Sequence, residues 1–148
     1  MEISIKNFNS LSTKELYEIL QLRSEVFVME QECLYQDIDG KDLKALHVLG
    51  IKNKKIIAYA RCFDAGIYSE EAAIGRIVVD KLERGKNYGH ILLKAAIAAI
   101  YTKYGIKTIQ LSAQQYLIKF YESHGFKTSG KGYLEDGIPH ILMIKKFP

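Results

Sequence analysis

Arg84-Gly-Lys-Asn-Tyr-Gly-His90 joins the β-branched run Ile77-Val78-Val79 to an apolar stretch from about Tyr88 to Tyr104. The run predicts the end of a strand, Ala73–Val79, buried on both faces. The apolar stretch predicts a helix closed by Gly105. Helices favour Asp or Glu in the first turn, because unpaired N–H groups and the aligned peptide dipoles make that end positive. Here Arg84, Lys86 and His90 crowd the helix start, and no acid follows Glu83 in the turn. More positive charge is unfavourable there unless an anion sits on it. Gly85 and Gly89 lack side chains, so backbone N–H groups can approach a phosphate closely. Arg84, Gly85, Lys86, Asn87, Tyr88, Gly89 and His90 are therefore a candidate pyrophosphate cradle. A solvated basic loop with glycines for turning would use the same residues. The GxGxxG dinucleotide pattern and the GxxxxGK[ST] pattern are both absent, and no Ser or Thr follows Lys86 to hold magnesium.

The flanking sequence sets this strand and helix in a larger pattern. Ser12 and Glu15 have capping-box spacing, with Leu11 and Leu16 placed as a hydrophobic staple. Leu16, Ile19, Leu20, Val26 and Phe27 then recur at roughly helical spacing, and the periodicity fades near Glu30. Gln36–Asp42 reads as a polar loop. Two strands follow, His47–Ile51 and Ile56–Phe63, with Lys52-Asn53-Lys54-Lys55 as a hairpin turn between them. Beyond the apolar helix come a strand at Thr108–Ala113 and a short helix, Gln115–His124, closed by Gly125. Late strands near Gly132–Glu135 and His140–Lys145 flank Asp136-Gly-Ile-Pro139. The order α, β-β-β, α, β, α, β-β predicts a mixed α/β sheet with helices on its faces.

A chain of 148 residues predicts a single domain, 1–148, able to bury ~70% of its unfolded surface without disulfides. Hydrophobic residues at 48% and charged ones at 26% exclude disorder and collagen-like repeats. The 21 basic and 17 acidic residues leave a net charge of +4, too small for a nucleic-acid partner but suited to a small anion. The N-terminus shows no leader pattern, and the most apolar stretch, Ile91–Tyr101, is interrupted by Lys94 and too short for a membrane span. A cytoplasmic protein with two reduced cysteines, Cys33 and Cys62, is expected, without a metal. Asp37-Ile-Asp39-Gly40 is not a calcium loop, because its Gly comes too early and the bidentate Glu is missing.

The turn resembles the signature of the GNAT superfamily of acetyl-CoA-dependent N-acetyltransferases, [Gln/Arg]-x-x-Gly-x-[Gly/Ala] at a helix start. Arg84, Asn87 and Gly89 occupy its three marked positions, Asn87 standing for the middle glycine. Asn tolerates left-handed backbone better than most residues. The resemblance narrows to the ElaA-like subgroup and covers nearly the whole chain. Its blocks are Arg23-x-x-Val-Phe27 with Glu30-Gln31, Tyr35-Gln-Asp-Ile-Asp39, Ala58-Tyr-Ala-Arg61 and Gly75-Arg76-Ile-Val-Val79. Ala113-Gln114, Phe120-Tyr121 with Gly125-Phe126, and Glu135-Asp-Gly-Ile-Pro-His140 follow in order. Leu34 stands where the subgroup commonly has proline.

The resemblance implies a largely antiparallel central sheet whose parallel strands splay apart at the acetyl-CoA site. It implies direct transfer of an acetyl group from acetyl-CoA to a primary amine, with the pantetheine arm along Ile77, Val78 and Val79. Backbone N–H groups near Val78 and Val79 would bind the thioester oxygen, and the cradle would hold the pyrophosphate. Tyr121 matches the tyrosine assigned as acid toward the leaving thiolate. A phenol near ~10 and a thiol near ~8.5 make full transfer uphill by roughly 2 kcal/mol unless the phenol is perturbed. Hydrogen bonding to the thiolate is thus its chief expected role. An amine near ~10.4 must lose a proton before attack. Glu30, His47, Glu135 and His140 are the candidates, with Glu30 and His140 carried forward as catalytic and His47 read as structural. Gln114 is a candidate cofactor contact. Arg23 and Arg76 either reach an acidic acceptor or pair with nearby carboxylates. The alternative function is a non-catalytic acetyl-CoA or CoA sensor on the same fold. Strand pairing in the last third offers a route to a homodimer.

Overall fold

The computed structural model describes residues 1–147. Its strands are β1 (Glu2–Asn7), β2 (Leu46–Lys52), β3 (Lys55–Phe63), β4 (Ala72–Val79), β5 (Ile109–Gln114), β6 (Lys127–Glu135) and β7 (Ile138–Lys145). Its α-helices are α1 (Thr13–Arg23), α2 (Tyr88–Tyr104) and α3 (Ile118–Glu122). The seven strands form one sheet in the order β1-β2-β3-β4-β5-β7-β6. Every neighbouring pair is antiparallel except β4–β5, which is parallel.

Local chemistry explains most element ends. Ser12 accepts from the Glu15 amide at 3.0 Å while Glu15 accepts from the Ser12 amide at 2.8 Å, which completes the capping box of α1. Asn53 (φ 51°) and Lys54 (φ 63°) turn the β2–β3 hairpin, and Asp136 (φ 50°) and Gly137 (φ 79°) turn the β6–β7 hairpin. Both are two-residue loops with left-handed central residues, which match the twist of antiparallel strands. Gly105 (φ 94°) ends α2.

The sheet is covered on both faces. From one side α2 presents Leu92, Leu93, Ala96 and Ile100 to Val48, Ala58, Ala60, Cys62 and Ile74. From the other, Ile19, Leu22 and Val26 meet Leu49, Tyr59 and Val78. Alternate residues of β2 and β3 thus serve opposite cores, as the period of two in a strand requires.

The structure departs from the sequence expectations at several elements. β1 was not foreseen; its alternation of Ile3 and Ile5 with polar residues is short, and the strand is only half-buried at the sheet edge. The fading period near Glu30 is a π-helical continuation of α1 over Ser24–Glu30, whose wider turn breaks the 3.6-residue repeat. Most important for function, the end of β4 is not buried on both faces. Val78 is buried, but Ile77 and Val79 are partly open, because β4 pairs with β5 only at Ala72 and Ala73. In addition, the predicted Gln115–His124 helix begins as a tight turn over Gln115–Leu117, and the late strand begins earlier, at Lys127.

Candidate active site

Beyond Ala73 the strands β4 and β5 part, and a bulge shapes the free end of β4. Tyr59 pairs with Val78 and Arg61 with Gly75, so Arg76 and Ile77 together face Ala60. Arg76 sits at φ 50°, a strained conformation for a residue with a side chain. Its guanidinium is tied down: Nε donates to Asp37 Oδ1 at 2.7 Å and Nη2 to the Asp37 carbonyl at 3.2 Å. Past the bulge, the Asp80 amide donates back to Ile57 of β3 at 2.7 Å. Amides alternate between the two edges of a strand, so the Val79 N–H faces the gap while that of Val78 faces β3. Arg84 Nε donates to the Val79 carbonyl at 3.1 Å, on that same free edge.

The cradle follows directly. Gly85 (φ 81°) and Asn87 (φ 68°) are left-handed and turn the chain into α2. No side chain caps this helix, and its first turn holds no acid, leaving the N–H groups at its start without a side-chain acceptor. A Cβ on Gly89 would rest 3.6 Å from the Phe120 ring, an ordinary contact, so packing alone does not demand glycine there. Arg84 and Lys86 are partnered by acids, and His90 by another histidine. Arg84 forms a two-pronged pair with Glu30, at 2.7 and 3.0 Å across 54 residues. Lys86 and Lys52 each meet Glu83 at 2.9 Å. Hydrogen bonds from those two lysines hold the Glu83 carboxyl down at about 2. Tyr88 lies with Lys52 Nζ 5.7 Å from its ring. His90 Nδ1 meets His124 Nε2 at 2.9 Å, and its ring lies 4.7 Å from Phe120.

Tyr121 is buried, edge-on to Phe120 at 5.1 Å and to Phe126 at 6.1 Å. Burial pushes its phenol above the ordinary value, so it keeps its proton.

His140 pairs in register with Gln114 at the end of β5. Its Nδ1 lies 2.7 Å from the Ile138 carbonyl, which can only accept, so Nδ1 carries the hydrogen and the neutral ring has its lone pair on Nε2. That Nε2 stands 3.3 Å from the Glu135 carboxylate, a contact that is an ion pair when the ring carries both protons. The Tyr133 ring stacks on His140, and its hydroxyl reaches Ser112. Gln115 donates to the His140 carbonyl at 3.0 Å. Cys33 Sγ donates to the Asp136 carbonyl at 3.4 Å, joining the loop after the π-helical turn to the β6–β7 hairpin. Glu30 and His140 therefore lie in separate hydrogen-bonding groups. His47 is buried in the core: Nε2–H donates to the Asp42 carbonyl at 2.9 Å, and Nδ1 accepts from the Tyr59 hydroxyl at 2.6 Å.

Behind the bulge lies an ionic cluster that sequence reasoning did not assemble. Arg23 Nε meets Asp37 at 2.9 Å and its Nη1 meets Asp42 at 2.7 Å. Arg61 meets Asp39 at 2.6 Å and Asp42 at 2.9 Å. Both Arg23 and Arg61 are buried. Arg23 and Arg76 thus pair with carboxylates of the Gln36–Asp42 loop, which its acid content alone could have signalled. Among the described residues no cluster of three or more His, Cys, Asp or Glu is placed to hold a metal. No helix among them is long and apolar enough to cross a membrane.

Residues 9–147 match the family model for the acetyltransferase (GNAT) domain. The chain is 42% identical to the protein ElaA of Escherichia coli over 140 residues, covering 93% of this chain and 92% of ElaA. It is 44% identical to a UPF0039 protein of Schizosaccharomyces pombe over 145 residues, covering 97% of this chain and 95% of that one. A crystal structure of an acyl-CoA N-acyltransferase from Pseudomonas aeruginosa superposes with a TM-score of 0.92 at 38% identity, over 98% of this chain and 99% of that one. Over nearly its whole length, therefore, the chain belongs to the GNAT acetyltransferase family.

Proposed function

We propose that the protein is an N-acetyltransferase that moves an acetyl group from acetyl-CoA to a primary amine by direct attack on the thioester. The observation that carries this reading is the acid-free, uncapped start of α2 opening beside the parted ends of β4 and β5. Arg84, Gly85, Lys86, Asn87, Tyr88, Gly89 and His90 fit a diphosphate: two left-handed residues, a run of backbone donors, and basic side chains around them. When bound, acetyl-CoA supplies an activated acyl carbon. Every other task falls to the chain.

Ile77, Val78 and Val79 line the gap for the pantetheine arm, and the Val79 N–H is aimed at the position where negative charge develops on the thioester oxygen. His140 Nε2, backed by Glu135, receives the proton lost by the amine. The amine nitrogen forms a bond to the acyl carbon as the carbon–sulfur bond breaks, and the sulfur departs as thiolate. Tyr121 donates a hydrogen bond to that sulfur; its raised pKa argues against full proton transfer. Glu30 serves by orienting Arg84, since both its carboxylate oxygens are engaged there. Gln114, at the end of β5, borders the gap from the opposite side.

The test is calorimetric titration with acetyl-CoA followed by measurement of CoA release across a panel of amines. Binding with release at a rate set by the amine supports the enzyme. Tight binding with no release from any amine supports the sensor instead. No binding overturns both.

A further inference from the structure

The alternation of β4 is interrupted once, and the interruption changes which atoms reach the gap. Before Gly75 the even-numbered side chains, Ala72 and Ile74, join the core under α2. After it the parity inverts: Val78 joins the core under α1, while Ile77 and Val79 lean toward α2. The registers agree, since Gly75 faces Arg61 and Val78 faces Tyr59, leaving Arg76 and Ile77 together opposite Ala60. Amides alternate between the two edges of a strand with the same period, so the extra residue also exchanges which of them point at β3. The Asp80 amide donates to the Ile57 carbonyl at 2.7 Å, which leaves the Val79 N–H facing away from β3. Without the extra residue Val79 would itself oppose Ile57, and its N–H would be spent on β3.

An arginine occupies this position although its conformation suits glycine. Arg76 stands at φ 50°, while its neighbour Gly75 has no positive φ. A strained residue persists only where its surroundings over-determine it. Arg76 Nε donates to Asp37 Oδ1 at 2.7 Å, Nη2 donates to the Asp37 carbonyl at 3.2 Å, and the guanidinium lies 5.5 Å from the centre of the Tyr35 ring. Asp37 is fixed independently of Arg76. It is buried, Arg23 donates to its carboxylate at 2.9 Å and to its carbonyl at 3.0 Å, and the Tyr35 hydroxyl donates to it at 3.0 Å.

We infer that Arg76 is a positioning residue for acyl transfer: anchored on Asp37, it holds the extra residue of β4 in place and so presents the Val79 N–H, rather than that of Val78, to the thioester oxygen. The inference rests on the acetyl-transfer reading above and adds to it the side chain that sets the oxyanion donor. Arg76 touches no reacting atom. A misdirected donor weakens the transition state more than the bound cofactor, and the Arg84–His90 cradle keeps its own partners.

The test uses the full chain and its Arg76→Ala and Arg76→Gly variants. Both remove the anchor, but alanine resists a positive φ and glycine adopts it freely. Arg76→Ala is expected to lose about tenfold or more in kcat, with acetyl-CoA affinity by calorimetry within about threefold. Arg76→Gly is expected to keep at least about three times the kcat of Arg76→Ala, a recovery that the loss of an ion pair alone would not give. Amide hydrogen exchange followed by NMR reads the same device without turnover. In the unsubstituted protein the Val78 amide is expected to exchange at least about tenfold more slowly than that of Val79. That difference shrinks in both variants, so Arg76→Gly decides the matter if Arg76→Ala does not fold. A folded Arg76→Ala variant with kcat within about twofold of the unsubstituted protein overturns the positioning role and leaves the transfer reading standing. Arg76→Gly no more active than a folded Arg76→Ala, or an exchange difference unchanged in Arg76→Gly, does the same. No CoA release from the unsubstituted protein with any amine overturns the transfer reading, and the positioning role with it.

Discussion

In the proposed reaction, Tyr121 is the single residue that meets the departing sulfur. Its ring is packed among Phe120 and Phe126 and its hydroxyl keeps its proton, so Tyr121→Phe removes one donor while nearly conserving volume. The variant is expected to lose tenfold or more in kcat, with acetyl-CoA affinity within about twofold, because the lost bond forms only as charge appears on sulfur. Steady-state kinetics with a titration of acetyl-CoA checks this; unchanged kcat removes Tyr121 from the reaction. Ser12 is a simpler case. Ser12→Ala deletes the cap of α1 and is expected to cost about 1 kcal/mol in urea unfolding. Ser12 and Glu15 were legible in the sequence because their partners are three residues apart. The partner of Arg84 was not, since Glu30 is 54 positions away and no local rule links them. Lys86, by contrast, meets Glu83 only three residues before it, a pair that local spacing allows.

Elements show the same divide between local and distant order. Hairpin turns, the start of α1 and the span of α2 follow from neighbouring residues. The Arg76 bulge at the free end of β4 is held by Asp37, 39 residues away in sequence. Asp37 also receives the buried Arg23, so Asp37→Ala takes the carboxylate partner from both Nε groups and leaves Arg23 with Asp42 and Arg76 with Asp39. Removing one partner from a buried charged cluster is expected to cost about 3–5 kcal/mol. Chemical denaturation measures that loss, and a cost below about 1 kcal/mol would show that the clamp is not structural. Asp37→Asn keeps the shape and some hydrogen bonds, and is expected to lie between the two.

The molecule as a whole carries a dependence on acid. Burial raises Asp39 and Asp42, but hydrogen bonds and charge from their arginine partners outweigh it and hold both below the ordinary carboxylate range. Burial lowers the His47 pKa, only partly opposed by its bond to the Asp42 carbonyl and the Asp42 charge. A depressed pKa contributes stability that is complete above the unfolded value and lost as pH falls toward the folded value. Stability is therefore expected to be level above about pH 6.5, to decline as His47 is forced to protonate, and to drop further below about pH 4 as the aspartates follow. Urea midpoints at pH 7.5, 5.5 and 3.5 check the order; a midpoint that rises on acidification contradicts it. The sheet, finally, is two plates welded along a seam only two rungs wide, at Ala72 and Ala73. A ligand lodged in that crack works like a dowel: it touches both plates at once, so its arrival stiffens the joint and slows hydrogen exchange in β3 and β7 together, though neither strand borders the other.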